Sequence, residues 1–275
     1  MRSVSRLLLI LVLAAAAVTA SGGDFTFVVM ADPQIGFTNG NTDLTPEMDN
    51  FRKGIEQMNK LKPAFVIIAG DLVQSAHDPK QIRAFWQVAG EINPDIPLHL
   101  VAGNHDVGAA TARSLRSYGK LFGPDHYAFT YGNSAFIVLD SVLIREPTAD
   151  PSLRAEQRKW FEEQLATARD RKAAHVFVIA HHPWFVTSPD EPDDYYNTPL
   201  SVRREYLDLM KQYGADYALS GHLHHEASAK YDGIRLIATA SVGKALGSDP
   251  VGFRVIRVVA DRVEQEYVAL SRPNR

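Results

Sequence analysis

From about residue 24 onward, short apolar runs alternate with longer stretches of helical spacing. Phe25–Met30, Ala64–Ala69, Leu98–Ala102, Phe136–Leu139, Val176–Ala180 and Tyr217–Leu219 read as buried strands, each bounded by polar or turn-forming residues. Residues 46–61, 79–92, 111–121, 152–171 and 200–213 carry apolar positions at helical intervals, and several open with Thr, Asp or Ser followed by Pro. The tail differs. Lys230–Ala238 and Arg254–Val268 read as antiparallel strands, with Asp232-Gly233 and Asp261-Arg262 as turn candidates. The pattern contains no fixed-period repeat and no low-complexity linker, and predicts an α/β domain over 24–272 with two packed sheets and helices on their outer faces.

The first residues follow another pattern. Arg2 and Arg6 precede the apolar run 7–18, and Val18-Thr19-Ala20 supplies small residues before Ser21. That order is a secretory signal over residues 1–20, and the run is short of the roughly 20 residues that span a bilayer. The expectation is a secreted or periplasmic protein with no stable membrane anchor, an uncleaved signal being the alternative. Export permits disulfides, yet the chain has no cysteine, so its stability must come from its core and from bound metal. It also lacks an Asn-x-Ser/Thr glycosylation site, which leans towards a periplasm. A net charge of −3 and the absence of any Lys/Arg run argue against nucleic acid as a partner.

Candidate chemistry lies where strands end. Asp32-Pro33-Gln34, Gly70-Asp71, Gly103-Asn104-His105-Asp106, His181-His182-Pro183 and Gly221-His222-Leu223-His224 each follow a predicted strand. In an open α/β sheet, ligands bind beyond the carboxyl ends of the strands, so these clusters can meet in one crevice. Carboxylates, an amide oxygen and imidazoles without thiolate suit Mn, Fe, Zn or Mg in a working site rather than a structural zinc site. A carboxylate such as Asp71 can bridge two cations. Two such ions can clamp the attacking and leaving oxygens of an in-line displacement at phosphorus and deprotonate a shared water near neutral pH. Glycines before Asp71, Asn104 and His222 allow tight turns that bring these groups close.

The ordered series Asp-x-Gln, Gly-Asp, Gly-Asn-His-Asp, His-x-Pro and Gly-His-x-His resembles the calcineurin-like metallophosphoesterases over nearly the whole chain after the signal. Each element is weak alone; the ordered set is specific. The resemblance implies a four-layer αββα sandwich of two mixed β-sheets flanked by helices. It implies two divalent metal ions, the first held by Asp32, His224 and Gln34, the second by Asn104, His181 and His222, with Asp71 bridging. It also implies His105 as general acid or charge stabiliser, with Asp106 orienting its ring. Gln34 stands where most members have His, which points to a weaker first site, a harder ion such as Mn or Mg, or an empty site. The implied activity is hydrolysis of a phosphomonoester on a phosphorylated small molecule or protein, including phosphoserine and phosphothreonine; export favours equally a broad extracytoplasmic phosphatase that scavenges phosphate. A phosphodiesterase of the same fold and a non-catalytic phosphate-binding protein stay open as alternatives. No Gly-x-Ser-x-Gly is present, which sets aside a serine esterase of the α/β-hydrolase kind.

The remaining candidates are positional. The loop 188–197, with Tyr195 and Tyr196, reads either as a lip over the cleft or as a solvated acidic loop. Lys244 could hold a phosphate, although a lone Lys is more often solvent-facing. Trp184 is the tryptophan expected to line the pocket. His182, His225 and Glu226 adjoin the motifs without occupying their positions.

Overall fold

The computed structural model describes residues 23–270 apart from 39, 41, 147 and 148; the expected signal segment lies outside the described residues. Strands β1 (Phe25–Met30), β2 (Val66–Ile68) and β3 (Leu98–Leu100) are parallel. Helices α1 (Thr45–Leu61) and α2 (Pro79–Ala89) form their crossovers. Asp78 caps α2 by accepting from the Lys80 amide at 2.7 Å, and Pro79 occupies the first turn, where no amide hydrogen is needed. The tail adds β10 (Gly252–Val259) antiparallel to β1 and β11 (Arg262–Ala269) at the edge, giving the order β11-β10-β1-β2-β3.

The second sheet has the order β4-β5-β6-β7-β9-β8. Its centre is parallel: β5 (Ser134–Val138), β6 (His175–Ile179), β7 (Tyr217–Ser220) and β9 (Ile234–Ala238). Antiparallel β4 (Tyr127–Tyr131) and β8 (Ala227–Tyr231) close its edges. Between β3 and this sheet lie the short helix α3 (Asn104–Val107) and helix α4 (Ala112–Leu121). The short α5 (Ser141–Arg145) follows β5, and α6 (Pro151–Asp170) and α7 (Leu200–Tyr213) supply further crossovers.

Alternation along β1 explains the layering. Phe27 and Val29 join Phe65, Phe136, Phe177, Tyr217 and Ile256 in the core between the sheets. Val28 and Met30 face the other way, onto Phe51 and Ile55 of α1 and Phe85 of α2. On the far side, Phe161 and Leu165 of α6 and Tyr206 and Met210 of α7 cover the second sheet. These are the four layers of an αββα sandwich of two mixed sheets. The inter-sheet core is aromatic: Phe136 and Phe177 stack at 4.9 Å, and Phe27 stacks on Phe65 at 5.0 Å. Each such pair adds about 0.5–1.5 kcal/mol beyond the area it buries.

Two local features differ from the sequence reading. Strand β4 has half-buried Tyr127, Phe129 and Tyr131 alternating with exposed residues, the signature of an edge strand rather than of an apolar run. The last turn centres on Ala260-Asp261, with Ala260 at φ 52°, so Arg262 already belongs to β11. The Asp232-Gly233 turn falls where expected, both residues having positive φ. Among the described residues, no helix is long and apolar enough to cross a membrane.

Candidate metal centre

The carboxyl ends of β1, β2 and β3 in one sheet and of β6 and β7 in the other open onto the same edge of the sandwich. The backbone there is unusual. Of the nine non-glycine residues with positive φ among those described, five are Asp32, Gln34, Asp71, His222 and His224. Left-handed backbone costs a non-glycine residue of order 1–3 kcal/mol and persists only where surrounding contacts enforce it. Those contacts are present: the Asp32 amide donates to the Gly70 carbonyl at 3.1 Å, and the Gln34 amide to the Asp71 carbonyl at 2.8 Å. The buried Glu47 of α1 accepts from the Thr38 amide at 3.1 Å and holds the segment after Gln34. His222 and His224 are therefore not alternate positions of an extended stretch. They converge because a tight left-handed turn brings them together.

Four donor atoms cluster around the side chain of His181. Its Nε2 lies 3.1 Å from Asn104 Oδ1, 3.2 Å from Asp71 Oδ2 and 3.2 Å from His222 Nδ1. The outer ring nitrogens are committed elsewhere: His181 Nδ1 donates to the Ala69 carbonyl at 2.8 Å, and His222 Nε2 to the Tyr195 carbonyl at 3.0 Å. Both imidazoles thus turn their remaining nitrogens, His181 Nε2 and His222 Nδ1, inward, where they could hold a metal. Donors held about 2.0–2.2 Å from one cation lie roughly 3 to 3.5 Å apart, the spacing of this cluster.

A second group adjoins it through Asp32, Asp71 and His181, whose ligand atoms lie within 4.8 Å of one another. Asp32 Oδ1 is 3.7 Å from His224 Nε2, and His224 Nδ1 donates to the Lys244 carbonyl. The Oε1 atom of Gln34 is buried and has no hydrogen-bond partner among the described residues. A buried acceptor without a donor is costly unless a cation or proton meets it, so this atom fits a metal-facing position. The oxygen donors Asp32, Gln34, Asp71 and Asn104 all come from the first sheet; the nitrogen donors His181, His222 and His224 all come from the second.

Electrostatics follow from burial. It pushes the Asp32 carboxyl up to about 6, against the opposing pull of His224 and His181. Burial acts likewise on Asp71, but the facing His181 charge and hydrogen bonds overcome it and hold Asp71 down at about 2. Burial alone would lower His181; Asp71 and Asp32 reverse it and lift the ring to about 9. His222 is brought down to about 3 by burial and by the charge of His181.

The two residues predicted for catalysis separate. His105 sits beside the cluster, its amide donating to Asp71 Oδ1 at 2.9 Å and its Nδ1 donating to the Gln74 carbonyl at 2.9 Å. Gln74, not Asp106, orients the ring. The Asp106 carboxylate instead accepts from the amides of Leu72 at 2.8 Å, Val73 at 3.2 Å and Gly103 at 3.0 Å, tying the β2 and β3 loops together. The correction has a simple cause: consecutive residues of the helical turn α3 point in different directions.

The sequence reading underrated three neighbours. His182 is buried, with Nδ1 2.9 Å from Ser141 Oγ and its ring 4.4 Å from that of His222. Tyr195 stands over His222, ring centroids 4.8 Å apart, and Arg145 lies 5.8 Å from the Tyr195 ring. Ser141 and Arg145 belong to α5, at the carboxyl end of a further parallel strand; the strand-end rule that found the other clusters would have found these. The loop 188–197 is a braced lip. Glu191 accepts from the amides of Val186, Thr187 and Ser188 and from Asn197 Nδ2, while fully buried Arg203 donates to the carbonyls of Pro189, Glu191 and Thr198. One expectation fails: Trp184 is buried against Tyr206 in the helix-side core. Lys244 is exposed, the commoner case for a lone Lys, and contributes its backbone carbonyl to His224.

A sandwich with buried carboxylates, an amide and imidazoles gathered at one strand edge suits divalent metals and phosphoester chemistry, and residues 25–226 match the family model "Calcineurin-like phosphoesterase". The chain belongs to that family and is a metallophosphoesterase. Among curated proteins it is similar to "Serine/threonine-protein phosphatase CPPED1" of Rattus norvegicus, 34% identical, covering 90% of this chain and 85% of the relative. The Danio rerio protein of the same name is 31% identical over 90% of this chain and 86% of its own length. A solved dimetal phosphatase from Danio rerio shares the fold, with TM-score 0.64 and 18% identity over 90% of this chain and 99% of that one.

Proposed function

We propose that this chain is a phosphomonoesterase working with two divalent cations, Mn, Fe, Zn or Mg, and that phosphorylated serine or threonine side chains are among its substrates. The observation that carries the reading is the meeting of Asn104 Oδ1, Asp71 Oδ2 and His222 Nδ1 within 3.1–3.2 Å of His181 Nε2. In this reading Asp32, Gln34 and His224 hold the first ion, Asn104, His181 and His222 the second, and Asp71 both. Bound there, the ions would supply Lewis acidity to phosphoryl oxygens and acidify water. Gln34, a neutral oxygen donor, favours a harder ion in the first position. The name shared by the curated relatives supports a phosphorylated hydroxyl amino acid as substrate. The N-terminal pattern of Arg2, Arg6 and the run 7–18 supports action outside the cytoplasm.

His105 is the proton carrier in this scheme. With Nδ1 committed to Gln74, its Nε2 is left to protonate the leaving oxygen. His105→Ala is expected to lower turnover of p-nitrophenyl phosphate about a hundredfold while metal content stays at the wild-type level. Loss of the metal along with activity would make His105 a ligand instead. Assays across Mn, Fe, Zn and Mg, with p-nitrophenyl phosphate beside bis-p-nitrophenyl phosphate, test the reading as a whole. Faster diester turnover, or no metal-stimulated turnover of either ester, would overturn it.

Metal loading should also release protons. Asp71 and Asp32 keep a proton on His181 up to about pH 9, and with Nδ1 bonded to Ala69 the displaceable proton sits on Nε2. Below that pH the apparent metal affinity is expected to fall by about tenfold per unit as proton and cation compete. Calorimetric titration in two buffers of different ionisation enthalpy checks this; identical heats would refute it.

A further inference from the structure

Tyr195 offers the centre more than its backbone. Its carbonyl takes the His222 Nε2 proton, and its phenol oxygen stands 3.5 Å from Asn104 Nδ2. An amide nitrogen only donates, so the phenol oxygen is the acceptor in that contact. The phenol's own proton then has no acceptor among the described residues. The side chain is half exposed yet restrained on several sides. Its ring lies at 45° to that of His222, Tyr196 packs edge-on at 5.5 Å, and Arg145 donates from Nη2 to the Asp194 carbonyl at 3.0 Å while lying 5.8 Å from the Tyr195 ring. The Nε of Arg145 is buried without a partner among the described residues, while its Nη1 lies 3.8 Å from Glu146 Oε1, so the guanidinium beside this ring shares its charge with a carboxylate.

A phosphomonoester differs from a diester in one respect that such a site can read. It carries a third non-bridging oxygen and one more negative charge; in a diester that position is an esterified oxygen, a poor acceptor. We propose that the Tyr195 hydroxyl, held in place by Arg145, donates a hydrogen bond to the third non-bridging oxygen of a phosphomonoester and so makes the site select monoesters over diesters. The proposal rests on the monoesterase reading above and assigns its specificity to a residue on the lip. The Arg145 charge, shared with Glu146, acts more weakly in the same direction, since a dianion gains more from a nearby cation than a monoanion does.

Tyr195→Phe tests it, because the ring and the carbonyl that orients His222 both remain. With the metal-loaded protein, the ratio of kcat/KM for p-nitrophenyl phosphate to that for bis-p-nitrophenyl phosphate should fall about 10- to 100-fold, the effect of losing one donor to a charged oxygen. Inorganic phosphate should bind more weakly by a similar factor in calorimetry, with metal content matching the wild type. An unchanged ratio together with unchanged phosphate affinity would overturn the assignment, as would an equal loss for both esters. If the wild type turns over no monoester, the monoesterase reading fails on its own, and the phosphate titration still decides what the hydroxyl contacts.

Discussion

Asp71→Asn is expected to lower metal-dependent phosphatase turnover by about a thousandfold or more and to strip metal from the protein, because in the proposed two-ion scheme its carboxylate joins both ions, a role worth several kcal/mol. Asp71 sits where the two donor groups meet. Its Oδ2 faces His181 Nε2 at 3.2 Å, and its Oδ1 accepts the His105 amide at 2.9 Å. Asparagine removes the charge and forces a choice. Either its NH2 points at the His105 amide, donor against donor, or it points into the atoms that must receive a cation. Elemental analysis beside steady-state kinetics is the check. A variant with full metal content and turnover within about tenfold of wild type would show that Asp71 does not join the two positions.

Gly103→Ala is the second large effect. A Cβ at position 103 would lie 2.1 Å from the Asp71 amide nitrogen and 2.2 Å from Asp71 Oδ1. Backbone cannot yield as a flexible side-chain tip can, so the β2 and β3 loops must part. A loss of roughly 3 kcal/mol in folding stability is expected, with a steep drop in metal affinity. Gly119→Ala is the control: it lies within α4, nothing stands within 4 Å of its added Cβ, and alanine there should be neutral or slightly stabilising. Denaturant melts and metal titration of both variants decide the matter. If Gly103→Ala matches wild type in both, the close approach of the two loops has no functional weight.

Much of this centre was legible beforehand because a buried parallel strand is an apolar run with an abrupt polar end. Asp32, Asp71, Asn104, His181 and His222 all fall just past such an end, and the topology does the gathering. What escaped the sequence reading has physical causes too. Asp106 adjoins His105 in the chain, but a helical turn sends adjacent side chains apart, and three backbone amides claim its carboxylate. The carbonyls of Gln74, Lys244 and Tyr195 orient three histidines, and a backbone acceptor carries no residue-type signature. Trp184 looked like a pocket wall because it follows the His181 motif so closely; its apolar bulk was satisfied by Tyr206 on the opposite face of the sheet. The edge strand β4 was missed because half of it faces solvent.

The division of oxygen donors to one sheet and nitrogen donors to the other means that neither half of the sandwich owns a reaction centre. Hard oxygen donors and borderline imidazole nitrogens face each other across a seam closed by Phe27, Phe65, Phe136 and Phe177. The candidate centre is thus a property of the closed seam, and a substitution that shifts one sheet against the other would disturb it without touching any of its donors.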